Sequence, residues 1–144
     1  MNCHKGLIEA LLEFKPDFNI RNVNGLTALC IAAMSKDLGI LTKLLESGAN
    51  ANYVNNDGNT PLHLAVMQGD LEVVKILLKF KANPNSLDHF GNNPIIHATT
   101  NQDVQMLRIL VKYGSNVDHK DPYGCTPLSF AASKGKFIQK SNLL

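Results

Sequence analysis

Five histidines and three cysteines are the side chains here best suited to chemistry, and their spacing decides whether any can act together. His4, His63, His89, His97 and His119 never fall three or four residues apart, the separation that sets two imidazoles on one helix face for zinc. Cys3 and His4 are adjacent but lack two further ligands nearby, so no metal is expected. Cys3, Cys30 and Cys125 are odd in number and widely spaced, which favours a reducing compartment and thiols that serve as small buried residues. A calcium loop built on Gly58 would put Tyr53 and Leu64 at its first and last ligand positions, and neither supplies a carboxylate. No glycine-rich segment ends in Gly-Lys-Ser/Thr to cradle a phosphate. No nucleophile, base and orienting group share a plausible spacing, so the chain is expected not to be an enzyme and to take no cofactor.

The elements that must position any working residue are periodic. Gly25, Gly58, Gly91 and Gly124 stand thirty-three residues apart. Each opens a similar string: Leu26-Thr27-Ala28-Leu29, Asn59-Thr60-Pro61-Leu62, Asn92-Asn93-Pro94-Ile95 and Cys125-Thr126-Pro127-Leu128. A fixed period of this length marks stacked supersecondary units, none of which buries its apolar face alone. Thr27, Thr60, Asn93 and Thr126 precede short apolar stretches, where a side-chain oxygen caps the first free amides of a helix. Pro61, Pro94 and Pro127 follow at the first helical position, where the missing N–H costs nothing. Ala32, Ala65, Ala98 and Ala131 recur in mid-helix and let a neighbouring helix come close. A second helix follows, with Leu41, Leu44 and Leu45, then Val74, Leu77 and Leu78, then Leu107, Leu110 and Val111 at helical spacing. It ends at Gly48 or Gly114, residues suited to a left-handed cap, with Lys81 at that place in the unit between. Runs such as Asn50-Ala51-Asn52-Tyr53 and Asn83-Pro84-Asn85 supply turn formers for a projecting hairpin.

The segment Asp57-Gly58-Asn59-Thr60-Pro61-Leu62-His63-Leu64-Ala65, continued by Gly69-Asp70-Leu71-Glu72-Val73-Val74-Lys75-Ile76-Leu77-Leu78, is very similar to the ankyrin repeat. The resemblance covers almost the whole chain and implies an all-α repeat solenoid of helix-turn-helix units joined by β-hairpin loops. Full repeats are expected at 22–54, 55–87 and 88–120, with partial repeats at 1–21 and 121–144, in a single domain over 1–144. Met1 lies thirty-three residues before Met34, so the first partial repeat is expected to hold only a second helix, with Leu7, Leu11 and Leu12. Leu143 and Leu144 align with Leu77 and Leu78; an atypical end repeat, a fragment and a shortened form all fit these ends.

The resemblance also assigns roles. It implies that His63, in the Thr-Pro-Leu-His string, is structural and bonds adjacent repeats. His97 stands where Ile31, Leu64 and Phe130 stand in the other copies, and is expected to be a partly buried histidine in a less ideal repeat. His89 and His119 flank hairpins and are expected to be exposed. Asn52 with Leu44, and Asn85 with Leu77, fit the asparagine and leucine spacing of ankyrin substrates of an asparaginyl hydroxylase; the plainer role is a turn asparagine that satisfies backbone amides.

Composition sets the class. With 44% apolar residues and a net charge of +2, the chain reads as an ordinary globular protein without the concentrated basic stripe that nucleic acid requires. Lys134, Lys136 and Lys140 read as a solvated helix end. No apolar run approaches the roughly 20 residues that span a bilayer, and Met1 to Lys5 lead into no secretory stretch. The expectation is an intracellular monomer, cytoplasmic or nuclear, with no membrane insertion.

Once the framework residues are set aside, the hairpin tips and the exposed side of each first helix remain, which in ankyrin-like proteins form the concave recognition face. The tips are Val23 and Asn24, Asn56 and Asp57, His89 and Phe90, Pro122 and Tyr123. Leu26, Asn59, Asn92 and Cys125 follow the glycines. On the helices lie Met34 and Ser35, Met67 and Gln68, Thr100 and Asn101, Ser133 and Lys134. Helices packed 8–10 Å apart make this face roughly 40 Å long, enough for an interface of standard size. The resemblance therefore implies a protein–protein interaction module, an adaptor or scaffold, with a regulatory ankyrin segment of a larger enzyme or channel as the alternative. Phe90 and Tyr123, on adjacent tips, either anchor a partner or fold back to stiffen the fingers, in which case Met34 and Met67 become the apolar contact.

Overall fold

The computed structural model of the chain describes residues 3–133, with side chains from residue 6 onward. Seven helices follow in order: α1 (Cys3–Glu13), α2 (Ala28–Ser35), α3 (Leu38–Glu46), α4 (Pro61–Met67), α5 (Leu71–Lys79), α6 (Pro94–Thr100) and α7 (Val104–Lys112). Helix begins again at Pro127 and is followed through 133.

The expected start signals work as capping physics requires. The side chains of Thr27, Thr60, Asn93 and Thr126 accept from the backbone N–H of Cys30, His63, Ile96 and Ser129. The second helices carry caps that sequence reasoning missed. Asp37, Asp70 and Asp103, again thirty-three residues apart, accept from the N–H of Ile40, Val73 and Met106. After those helices Gly48 and Gly114 take the positive φ expected of a left-handed cap, and Lys81 takes it as well at the place where the glycine is missing.

Packing is local along the array. Helices α2 and α3, α4 and α5, and α6 and α7 pack as pairs joined by short turns; α2, α4 and α6 stack as one row and α1, α3, α5 and α7 as the other. Ala32, Ala65 and Ala98 are buried within the first row, where their small size admits the neighbouring helix. Ala131, at the end of the described chain, is exposed. Leu29, Leu41, Leu62, Leu77, Ile95, Met106 and Leu110 fill the seam between the rows.

The projecting loops differ from the hairpins expected, since no described residue lies in a strand. Two backbone bonds close each finger, as from Asn55 N to Asn59 O at 3.0 Å with Gly58 N to Asn55 O at 3.1 Å, and from Asp88 N to Asn92 O at 3.0 Å with Gly91 N to Asp88 O at 3.0 Å. One more joins the first three fingers in turn, from Asn56 N to Asn24 O at 3.3 Å and from His89 N to Asp57 O at 3.0 Å, while Pro122, at the same place in the fourth, has no N–H to give. These bonds close turns, and a ladder needs several in register between extended segments.

Candidate partner-binding surface

The fingers are shaped by four side chains that recur every thirty-three residues. One oxygen each of Asn22, Asn55, Asp88 and Asp121 accepts the backbone N–H two and four residues further on, at 2.7–3.0 Å. This local bonding closes the turn and throws the intervening tip outward. Val23, Phe90 and Tyr123 are accordingly 92%, 72% and 91% exposed. Rings so open are not folded onto the neighbouring finger, which removes the stiffening role considered for Phe90 and Tyr123.

Between tips and first helices run two grooves. The first, about 470 Å³, is lined by Asn24, Leu26, Met34, Asn55, Asn56, Asp57 and Leu64. The second, about 580 Å³, is lined by His89, Phe90, Asn92, Asp121, Pro122, Tyr123, Cys125 and Phe130. Met67 and Gln68 are exposed at the end of α4, and Ser133 is exposed with its hydroxyl bonded to Phe130 O. Several expected contact residues instead have work inside the array. The Asn101 amide donates to Val66 O and Met67 O at 3.4 and 3.3 Å, and the Asn56 amide donates to Val23 O at 3.0 Å. Thr100 is half-buried with its hydroxyl on His97 O, and Asn59 is half-buried with an amide oxygen that lacks a partner. Lys134 lies outside the described residues, as do Lys136, Lys140, Leu143 and Leu144.

The histidines divide by environment. His63 is fully buried; Nδ1 meets Thr60 N and Oγ1 at 3.2 and 2.9 Å, and Nε2 meets Asn92 O of the next repeat at 3.2 Å. Burial pushes its pKa down to about 4, outweighing the favourable Asn92 carbonyl, so the ring is neutral and ties repeats together. His97 is half-buried and its Nε2 lies 2.8 Å from Asp88 Oδ2. Burial favours the protonated Asp88 carboxyl, but the Asn92 N–H and His97 outweigh it and hold its pKa below the usual carboxylate value. His89 is exposed as expected. His119 is half-buried instead, because its Nε2 reaches back to Gly91 O at 2.8 Å; nothing at Ser86 or Tyr53 in the preceding repeats signals this contact.

Asn52 and Asn85 also bridge repeats. Asn52 Oδ1 accepts from Asn83 N at 2.7 Å, and Asn85 accepts from Asn116 N at 2.7 Å while donating to Gly114 O at 2.9 Å. Cys30 is buried, and Cys125 is a free thiol in the second groove. A separate apolar cavity of about 360 Å³ lies beside α1, among Ile8, Leu12, Phe18, Ile31 and Ile40. Among the described residues no group of histidine, cysteine and carboxylate side chains could hold a metal ion, and no helix is long and apolar enough to cross a membrane.

A family model described as ankyrin repeats (3 copies) matches residues 1–88 and 68–140. No curated protein matches the chain.

Proposed function

Because the chain belongs to the ankyrin-repeat family, whose members are generally protein–protein interaction modules, we propose that it is an adaptor or scaffold that docks a protein on the face made by the finger tips and the open edges of α2, α4 and α6. The observation that carries this reading is the exposure of two aromatic rings on adjacent tips, above a groove they help to line. Aromatic side chains bury much area with few rotatable bonds, which makes them effective anchors. The proposal includes action as a monomer inside the cell, which the unpaired thiols of Cys30 and Cys125 support.

The test compares two double variants against a partner captured from cells and then purified. Phe90→Ala with Tyr123→Ala should weaken binding by about 2 kcal/mol or more, and Asn24→Ala with Asp57→Ala by much less. The main-chain bonds of Asn24 and Asp57 between fingers survive truncation of their side chains, and Phe90 and Tyr123 are exposed, so circular dichroism of both variants should match that of the parent chain. Normal binding by the aromatic double variant would place the site elsewhere.

A further inference from the structure

Asp88 and Asp121 occupy the same place in consecutive fingers, and Oδ1 of each does the same work on its own loop. Their other oxygens differ. Oδ2 of Asp88 accepts from His97 Nε2 at 2.8 Å. In the next unit the place of His97 is taken by Phe130, which offers no donor, and Oδ2 of Asp121 has no hydrogen-bond or ion-pair partner among the described residues. Asp121 lies in the wall of the 580 Å³ groove with Phe90, Tyr123 and Phe130, and among the described residues no lysine or arginine lines it.

A carboxylate with one uncommitted oxygen among three aromatic rings has a definite chemical preference. Ring faces attract positive charge, and the carboxylate neutralises it through a charge-assisted hydrogen bond. An apolar side chain entering the same space would strip water from that oxygen and return nothing to it. A carboxylate guest would be repelled. We propose that this groove is a receptor for a basic side chain of the bound protein, arginine foremost, since a planar guanidinium stacks on a ring while its edge bonds the carboxylate. The proposal rests on the finger face being a docking surface, but its chemistry is measurable without the partner.

The probe is N-acetyl-arginine amide, titrated at low ionic strength into isotope-labelled full chain and followed by amide chemical shifts. Its control is N-acetyl-citrulline amide, which keeps the shape and removes the charge. The arginine compound should shift amides of 89–92, 121–125 and 130 at millimolar concentration, bind about fivefold more tightly than citrulline, and weaken as salt is added. Asp121→Asn tests the carboxylate without disturbing the finger, because Asn22 and Asn55 already shape theirs in the same way. It should bring arginine binding down to the citrulline level. Equal binding of the two compounds, shifts outside the groove, or an unchanged response in Asp121→Asn would overturn the receptor. A partner lost by the Phe90 and Tyr123 double variant, in a protein that ignores arginine, refutes the receptor and leaves the docking face standing. An arginine response in a protein whose partner binds the double variant normally establishes the groove's chemistry but refutes the docking face, and with it the groove's role as receptor for that partner.

Discussion

Replacing Gly58 by alanine isolates what a finger demands of its neighbour. Gly58 has φ +78°, and a Cβ there would lie 2.5 Å from His89 Cδ2 and 2.7 Å from His89 N of the next finger. Gly69, in the same unit, has φ +68° and open space around it, and Lys36 and Gln102 adopt the same conformation at the equivalent positions. Gly69→Ala thus carries only the left-handed backbone cost, about 1 kcal/mol. Gly58→Ala carries that cost and a collision besides. The imidazole of His89 can rotate away, but its backbone nitrogen must retreat by roughly 0.7 Å to reach ordinary contact. That movement breaks the bond from His89 N to Asp57 O at 3.0 Å, the main-chain link between these two fingers. Losing the link costs about 1 kcal/mol and straining the fingers about as much again, for a total of about 3 kcal/mol. With a urea slope of about 2 kcal/mol per molar, the midpoint followed by far-ultraviolet circular dichroism should fall about 1.5 M for Gly58→Ala and about 0.5 M for Gly69→Ala. Equal shifts would show that the fingers part freely and would refute the reasoning.

Burial of neutral His63, with a folded pKa near 4 against 6.5 when unfolded, means that the unfolded chain binds the extra proton between those values. Stability should therefore be full above pH 6.5 and decline by up to about 3 kcal/mol as pH falls toward 4. Urea midpoints measured down to about pH 4.5, where Asp88 stays ionised because its carboxyl is held below its ordinary range, should show this slope, and His63→Gln should lack it. Amide hydrogen exchange should be slower across 61–78, where Leu62, Val66, Val73, Val74 and Leu77 are buried, than across 127–133, where Leu128 is 78% exposed; equal protection would contradict neighbour-limited stability. Asn52 and Asn85 are proposed as hydroxylation sites that become reachable when their loop bonds open, so peptide mass analysis of protein made in animal cells should find one added oxygen at either residue, and unmodified peptides at both would end the proposal.

Most of the scaffold was legible in the chain because its signals act within a few residues. A threonine or asparagine three residues before an amide can cap it whatever lies beyond, so Thr27, Thr60, Asn93 and Thr126 could be assigned from sequence, as could the left-handed turns at Gly48 and Gly114, whereas Lys81 takes the same conformation with no glycine to announce it. Asp37, Asp70 and Asp103 carried an equally local signal, which their period displays. The surface was legible only as a set of positions. Which of those side chains remain free depends on how one unit sits against the next, a displacement set by the packing of α2, α4 and α6 that no single repeat encodes. That offset lets Asn101 reach Val66 and Met67, brings His119 to Gly91, and spends Asn85 on Gly114. The exchange of His97 for Phe130 is visible in the sequence, but its consequence is not. Only the folded array places both residues opposite equivalent aspartates and leaves Asp121 with an unspent oxygen, because hydrogen bonding is decided by distance in space rather than by position along the chain.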